Sequence, residues 1–266
     1  MNKIKCIFLD IDNTLTDSNQ NISQQTSDYF SKINKDCLII LVTGRNNIYA
    51  IEKSKTANAC KIVIADNGAV IYDYGKNQVL YKNIFDKALI NLIWDISQAY
   101  NIDCVFNSIY KRYRNNKYMN SRFLGQHTIG INNPNEIEVD ITQIVIHSNN
   151  EDDYKKCMEE LSQIDTIEVC NSGIESNGGY FADINIRGTS KGNAINKLFE
   201  LFNIKKEESI CFGDSRNDLS MFQSCGIKVA MKNGTDEIKQ QADYITEFSN
   251  DENGVIEFLN QLLSNT

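Results

Sequence analysis

Short runs of Ile, Val, Leu and Phe recur along the chain and stop at small or polar residues. Residues 4–9 stop at Asp10, 37–42 at Thr43-Gly44, 62–65 at Asp66-Asn67-Gly68, 209–212 at Gly213-Asp214, and 227–231 at Lys232-Asn233-Gly234. The runs do not alternate strictly between apolar and polar positions. That is the pattern of strands buried on both faces of a parallel sheet. Helical periodicity fills the gaps at 23–33, 46–57 and 191–202, the last with Ile195, Leu198, Phe199 and Phe202 on one face. Strand and helix in alternation predict a doubly wound α/β core. Ligands of such sheets bind beyond the carboxyl ends of the strands, and every polar cluster just named falls there.

Between 83 and 186 the alternation breaks. A helix is predicted at 86–100, strands at 103–109 and 112–116, a strand at 142–147, a helix at 152–161, and strands at 166–171 and 180–186. This is an α+β insert, which makes residues 1–82 and 187–266 the core and 83–186 a second domain. Trp94 falls with Leu89, Ile90 and Ile93 on the first helix of the insert and reads as core. The lone proline, Pro134, lies in a loop, and His147 ends a strand in a structural position.

The charge balance narrows the function. The net charge is −8 and the pI about 4.9, the reverse of a nucleic-acid footprint. The basic cluster Lys111-Arg112-Tyr113-Arg114 with Lys117 reads as a solvated strand face. No apolar run is long enough to span a bilayer, and the first ten residues read as a strand rather than a signal peptide. The eight cysteines include no CxxC pair, so they read as free, buried or half-buried thiols of a reducing cytoplasm.

The candidate chemistry sits at the strand ends. Asp10 and Asp12, in Asp-Ile-Asp-Asn-Thr, can serve one site as nucleophile and proton carrier. Gly213-Asp214-Ser215-Arg216-Asn217-Asp218 brings two more carboxylates to the same sheet edge. Four clustered acids repel one another unless a cation lies among them. Donors that are all oxygen favour a hard ion such as magnesium. Lys191 opens a helix behind the N-cap Ser190, where a lysine and a helix N-terminus together suit an anion; alone it reads as a solvated lysine. Thr43-Gly44 offers a hydroxyl and backbone amides to a phosphate.

Taken in order, Asp10-Ile-Asp12-Asn-Thr14-Leu15, Thr43-Gly44-Arg45, Lys191 and Gly213-Asp214-Ser-Arg-Asn217-Asp218 resemble the haloacid dehalogenase superfamily of phosphohydrolases. Asp66-Asn67-Gly68-Ala69, Gly188-Thr-Ser-Lys191-Gly192, Val229-Ala-Met231, Ala242-Asp243-Tyr244-Ile245-Thr246 and Asn250-Asp251-Glu252-Asn253-Gly254-Val255 resemble its Cof-type branch, subclass IIB. One departure is Asn13, where the family has glycine; asparagine tolerates the positive φ such a turn requires. A second is Gly234, where the family commonly has alanine.

The resemblance implies a Rossmann-like core with an inserted α+β cap of type C2B. It implies that Asp10 attacks phosphorus and forms an aspartyl phosphate, and that Asp12 protonates the leaving group and then activates water. Thr43, Gly44, Lys191 and Asn217 would bind phosphate. Magnesium would be held by Asp10, the backbone carbonyl of Asp12, and Asp214, with Asp218 in support. Hydrolysis of a small phosphomonoester follows, such as a sugar phosphate, pyridoxal phosphate or a flavin mononucleotide. A phosphomutase and a non-catalytic ligand-binding relative are the alternatives. Tyr118, Arg122 and His127 are the insert residues suited to touch the substrate. The expected partner is a small phosphorylated metabolite, with neither nucleic acid nor membrane.

Overall fold

A computed structural model describes residues 4–34, 37–119, 127–174 and 179–264. The chain separates into two compact units, residues 1–81 with 190–266, and residues 82–189. The first unit opens with β1 (Cys6–Asp10), α1 (Gln24–Ile33), β2 (Leu38–Val42), α2 (Asn47–Thr56), β3 (Ile62–Ala65), β4 (Val70–Asp73) and β5 (Gln78–Lys82). The second holds α3 (Lys87–Ala99), β6 (Asp103–Asn107), β7 (Arg112–Asn115), β8 (Thr128–Ile131), β9 (Gln143–Ser148), α4 (Glu151–Leu161), β10 (Ile167–Ile174) and β11 (Tyr180–Ile186). The chain then returns to the first unit with α5 (Lys191–Phe202), β12 (Ser209–Gly213), α6 (Leu219–Ser224), β13 (Ile227–Ala230), α7 (Asp236–Lys239), β14 (Tyr244–Ile245) and α8 (Gly254–Ser264).

The first unit is built on an eight-stranded sheet in the order β14-β13-β12-β1-β2-β3-β4-β5. Strands β14 to β3 in that order run parallel, and β4 turns back antiparallel to β3. Alternate residues of β1 feed two apolar layers. Cys6 and Phe8 pack with Ile40, Leu198 and Met221 on one face, and Ile7 and Leu9 with Phe30, Ile39 and Val255 on the other. Complete burial of a side chain such as Phe8 stabilises the fold by about 1.5–3 kcal/mol. Strand order reverses between β1 and β12, so their carboxyl ends frame the crevice where such sheets bind ligands. The β4–β5 pair was not visible in the sequence pattern. Residues 70–73 continue an apolar stretch, and β5 is a half-exposed edge strand without a clean period.

The second unit carries a six-stranded sheet in the order β10-β11-β9-β6-β7-β8, antiparallel except for β7 and β8. Its core joins Ile90, Ile93 and Trp94 of α3 and Tyr154, Cys157 and Leu161 of α4 to Phe106, Ile144 and Ile184. The expected strands are present, and β8 is added. Pro134 is the first residue of a 3₁₀ turn (Pro134–Glu136) capped by Asn133.

The basic cluster is only in part a solvated face. Lys111 and Lys117 are exposed. Tyr113 and Arg114 are buried, and Arg114 Nε donates to Asp103 Oδ1 at 2.9 Å. A guanidinium 1 % exposed needs such a partner. All eight cysteines are free, but Cys170 is exposed rather than half-buried. Ser190 caps α5 as expected, and Ser23, Asn46, Asp86 and Asn150 likewise accept from first-turn amides of their helices. Among the described residues no helix is long and apolar enough to cross a membrane.

Candidate active site

Strand β1 ends at Asp10, which is 5 % exposed. The chain leaves it through a tight turn, Ile11–Leu15, in which Asn13 has a φ of 58°. Asparagine therefore occupies the left-handed region, as its side chain allows. Strand β12 ends at Gly213, and the following turn returns Asp214 and Asp218 to Asp10. Carboxylate oxygens of the three residues lie within 4.8 Å of one another. Gly213 has no room for a side chain, since a Cβ there would meet Asp218 Cβ at 2.5 Å. Asp218 is fully buried and accepts from the amides of Asp214 and Ser215 at 3.0 and 3.2 Å. Thr14 Oγ1 donates to Asp214 Oδ1 at 3.2 Å.

Lys191, the first residue of α5, is not solvated. Its Nζ is 1 % exposed and lies 2.6 Å from both Asp10 Oδ1 and Asp218 Oδ1. Gly68 allows the approach of α5. It has a φ of 97°, and a Cβ there would lie 2.2 Å from the carbonyl oxygen of Ser190.

One lysine does not neutralise three carboxylates. Burial first, then the Asp218 charge, push Asp10 well above the usual carboxylate range; Lys191 opposes them and Asp214 adds to them. Burial and Asp218 likewise push Asp214 up to about 6. Burial works against the Lys191 charge, but Asp10 and Asp218 hold its pKa above the ordinary lysine value. The donor set is an all-oxygen, electron-rich cluster short of positive charge, which fits a hard divalent cation.

Asp12 is turned elsewhere. Its carboxylate accepts from Arg45 Nε at 2.9 Å and from Tyr49 Oη at 3.1 Å, and Arg45 Nη2 lies 2.8 Å from the second oxygen. The Asp12 side chain is therefore outside the acidic cluster. The Arg45 guanidinium stacks 4.9 Å above the Tyr49 ring. Burial, then the Asp12 charge, hold the Tyr49 phenol above its ordinary value, so it stays protonated and donates.

The remaining expected residues vary. Thr43, at the end of β2, is buried, and its amide donates to Ile64 O at 2.9 Å. The Arg45 amide donates to Thr43 Oγ1 at 3.1 Å. These two amides are thus engaged rather than free, while the Thr43 hydroxyl keeps its proton to donate. Gly44 passes close to Asn67, whose Oδ1 lies 2.7 Å from where a Cβ would be. Asn217 is exposed, and its Oδ1 accepts from Ser215 Oγ at 2.9 Å. In the second unit Tyr118 Oη donates to Asn101 O at 2.8 Å, and His127 is exposed at a φ of 62°. Arg122 lies outside the described residues.

Sequence reasoning missed the residues that hold the turn after Asp10. Asn233 Nδ2 donates to Asn13 O at 2.8 Å, and Asn233 Oδ1 accepts from the Asn250 amide at 3.0 Å. Asn250 Nδ2 donates to the buried carbonyl of Thr16 at 3.0 Å. Asp251 and Asn253 accept from Ser18 and Ser23. The late Asn-Asp-Glu-Asn motif marks this stitch, but nothing in its local pattern names the partner.

The chain matches the haloacid dehalogenase-like hydrolase family over residues 7–259. It is 27% identical to a putative phosphatase of Mycoplasma genitalium, over 98% of this chain and 99% of that one. It is also 27% identical to a 5-amino-6-(5-phospho-D-ribitylamino)uracil phosphatase of Bacillus subtilis, with the same coverage of both chains. The crystal structure of a haloacid dehalogenase-like hydrolase from Bacteroides thetaiotaomicron superimposes with a TM-score of 0.87 at 23% identity, covering 98% of this chain and 100% of that one. The chain belongs to the haloacid dehalogenase-like hydrolase family, as one of its phosphatases.

Proposed function

We propose that the protein is a magnesium-dependent phosphomonoesterase that works through an aspartyl phosphate on Asp10. The observation that carries this reading is the triad of Asp10, Asp214 and Asp218 at the switch point of the sheet, with Lys191 bridging the buried Asp10 and Asp218. Asp10, Asp214 and the backbone carbonyl of Asp12 would hold magnesium, with Asp218 fixing Lys191 and the turn. When bound, the ion neutralises carboxylate charge and draws electron density from the phosphoryl oxygens.

Lys191 donates to Asp10 Oδ1, which leaves Oδ2 to attack phosphorus. The bond from phosphorus to the ester oxygen breaks as the new P–O bond to Asp10 forms. Asp12, as the acid, gives its proton to the departing oxygen. Asp12, now the carboxylate, takes a proton from the water that attacks the aspartyl phosphate, and inorganic phosphate and free Asp10 result. The Thr43 hydroxyl, Gly44 and Asn217 steady the phosphoryl oxygens. The transition state is loose, so positioning and charge neutralisation supply most of the rate.

The second unit selects the leaving group, with Tyr118, Arg122 and His127 as its candidate contacts. The name of the Bacillus relative supports a substrate with a phosphate on a ribityl chain that carries a uracil ring. Flavin mononucleotide shares that chemistry, and sugar phosphates share its polyol half. The free cysteines support a reducing, cytoplasmic setting.

The test is phosphate release by the purified protein from an aryl phosphate, flavin mononucleotide, pyridoxal phosphate and several sugar and polyol phosphates, with magnesium and after chelation. Magnesium-dependent turnover of one polyol phosphate well above the rest is expected. No turnover of any ester would overturn the reading. A strict requirement for a bisphosphate would replace it with a mutase.

A further inference from the structure

Asp12 stands outside the acidic cluster, and Arg45 and Tyr49 hold its carboxylate. Arg45 grips both oxygens. A third donor, Tyr49 Oη, reaches Oδ1 from one turn inside α2. The ring that carries this hydroxyl is itself fixed. Arg45 stacks over it at 4.9 Å, and Lys53 Nζ lies 5.3 Å from its centroid. Lys53 Nζ donates to Gln20 O at 2.6 Å, which ties α2 to the segment that follows the Asp10 turn. The two cations are attracted to the ring and hold it in place. A surface tyrosine packed for bulk alone would need neither the donor geometry nor this bracket.

We infer that Tyr49 is a positioning residue that acts through Asp12, fixing its carboxylate at the angle from which it serves the leaving oxygen. This rests on the general-acid reading of Asp12 given above. Arg45 holds both oxygens of the carboxylate, and the Tyr49 hydroxyl adds the contact that sets its direction. A hydroxyl on a short two-torsion side chain with a bracketed ring points reproducibly, and a misplacement of about 1 Å in a proton donor costs on the order of 10²-fold in rate. The Tyr49 hydroxyl donates to Asp12 Oδ1 and not to a carboxylate of the acidic cluster. Its removal should therefore weaken only the steps that depend on Asp12. Those steps matter most when the leaving oxygen is a poor one, because an alkoxide needs its proton as the P–O bond breaks and an aryl oxide does not.

The experiment is a double-mutant cycle on the magnesium-loaded enzyme with Tyr49→Phe, Asp12→Ala and the pair. Single-turnover release of the leaving group is read for a polyol phosphate and for p-nitrophenyl phosphate. Tyr49→Phe keeps the ring between its cations, and thermal melting of each variant verifies the fold. The expected result is roughly tenfold slower release from the polyol phosphate, the size of one hydrogen bond to a charged group. Release from the aryl ester should stay within about twofold, and Tyr49→Phe should add nothing in the Asp12→Ala background. Wild-type rates in Tyr49→Phe, equal slowing of both esters, or additive losses in the double variant would each overturn the inference. If Asp12→Ala slows both esters equally, the general-acid reading fails. The cycle still shows whether Tyr49 acts through Asp12.

Discussion

Lys191 Nζ lies 2.6 Å from Asp10 Oδ1, although the two residues are 181 positions apart in the chain. Both are buried, and the same ammonium serves Asp218. A buried lysine between two carboxylates is worth less than its Coulomb attraction, because all three charges have left water. Removing only the cation is far worse than never having built the cluster.

Lys191→Ala should therefore damage both stability and rate. Two buried carboxylates lose their shared donor, and the expected cost to the metal-free protein is about 3–5 kcal/mol. Turnover should fall by about 10²–10³, as when one donor to a developing charge is removed. Urea denaturation with and without magnesium measures the first effect, and magnesium should recover part of it. Wild-type stability in the variant would contradict the buried ion pair.

Asp10→Asn should leave a folded protein with no turnover and no acid-stable phosphoenzyme after quenching. The amide keeps the shape and removes one of three repelling charges, so melting should not fall. An amide cannot form the acyl phosphate. Acid quench after mixing with substrate, followed by mass measurement of the intact chain, checks it. Residual turnover in the folded variant would sink the covalent route.

The positions of the strand ends, the Ser190 cap and the acidic motif were legible because they are local. Ser190 caps a helix in sequence and in space, and Asp10 ends a strand in both. The rest depends on distant partners. Arg114 read as solvated because its partner Asp103 is on the neighbouring strand, 11 residues away. Lys191 taken alone read as a solvated lysine, and the two carboxylates that bury it come from distant parts of the chain. The strap from Asn250 to Thr16 spans 234 positions, and no period or propensity encodes it. Strand β5 escaped notice because a half-exposed edge strand has no apolar stripe to announce it.

Asn250→Ala tests that strap. The Thr16 carbonyl is buried, and loss of the Asn250 amide leaves it without this donor, at a cost of about 1–3 kcal/mol. Alanine keeps the backbone amide that donates to Asn233 Oδ1, so the turn that carries Asp12 should loosen from its Thr16 end. Lower kcat with little change in KM is expected, with faster hydrogen exchange across residues 11–18. Protection unchanged in that segment would assign the motif to helix capping alone.

Gly68→Ala should act on the same centre from the opposite side. The added methyl would meet Ser190 O and force α5, with Lys191, away from Asp10; the positive φ adds strain. Stability and kcat should fall together, while Gly188→Ala, at a φ of 82° with open space around its Cβ, should cost only strain and leave kcat near wild type. Comparable kcat in both variants would deny that Gly68 spaces the helix.

Metal binding should show a pH signature set by the acidic cluster. The native carboxyl of Asp214 is raised to about 6, and that of Asp10 is raised as well. Unfolded aspartates titrate near pH 4. Between those values the native state binds more protons than the unfolded state. The contribution of these groups to stability is thus full below about pH 4 and is lost as pH rises through about 6. A cation binds the ionised cluster and competes with those protons. The rise in melting temperature on adding magnesium should be small near pH 4.5 and grow through pH 6 as the cluster ionises. Asp214→Asn should flatten the rise. Calcium should produce a comparable rise while suppressing turnover, because it takes more oxygen ligands at longer distances and would draw both Asp10 oxygens into coordination. Melting at constant ionic strength across that range, with magnesium, calcium or sodium alone, measures all of this. A magnesium increment independent of pH, or one preserved in Asp214→Asn, would place the ion elsewhere.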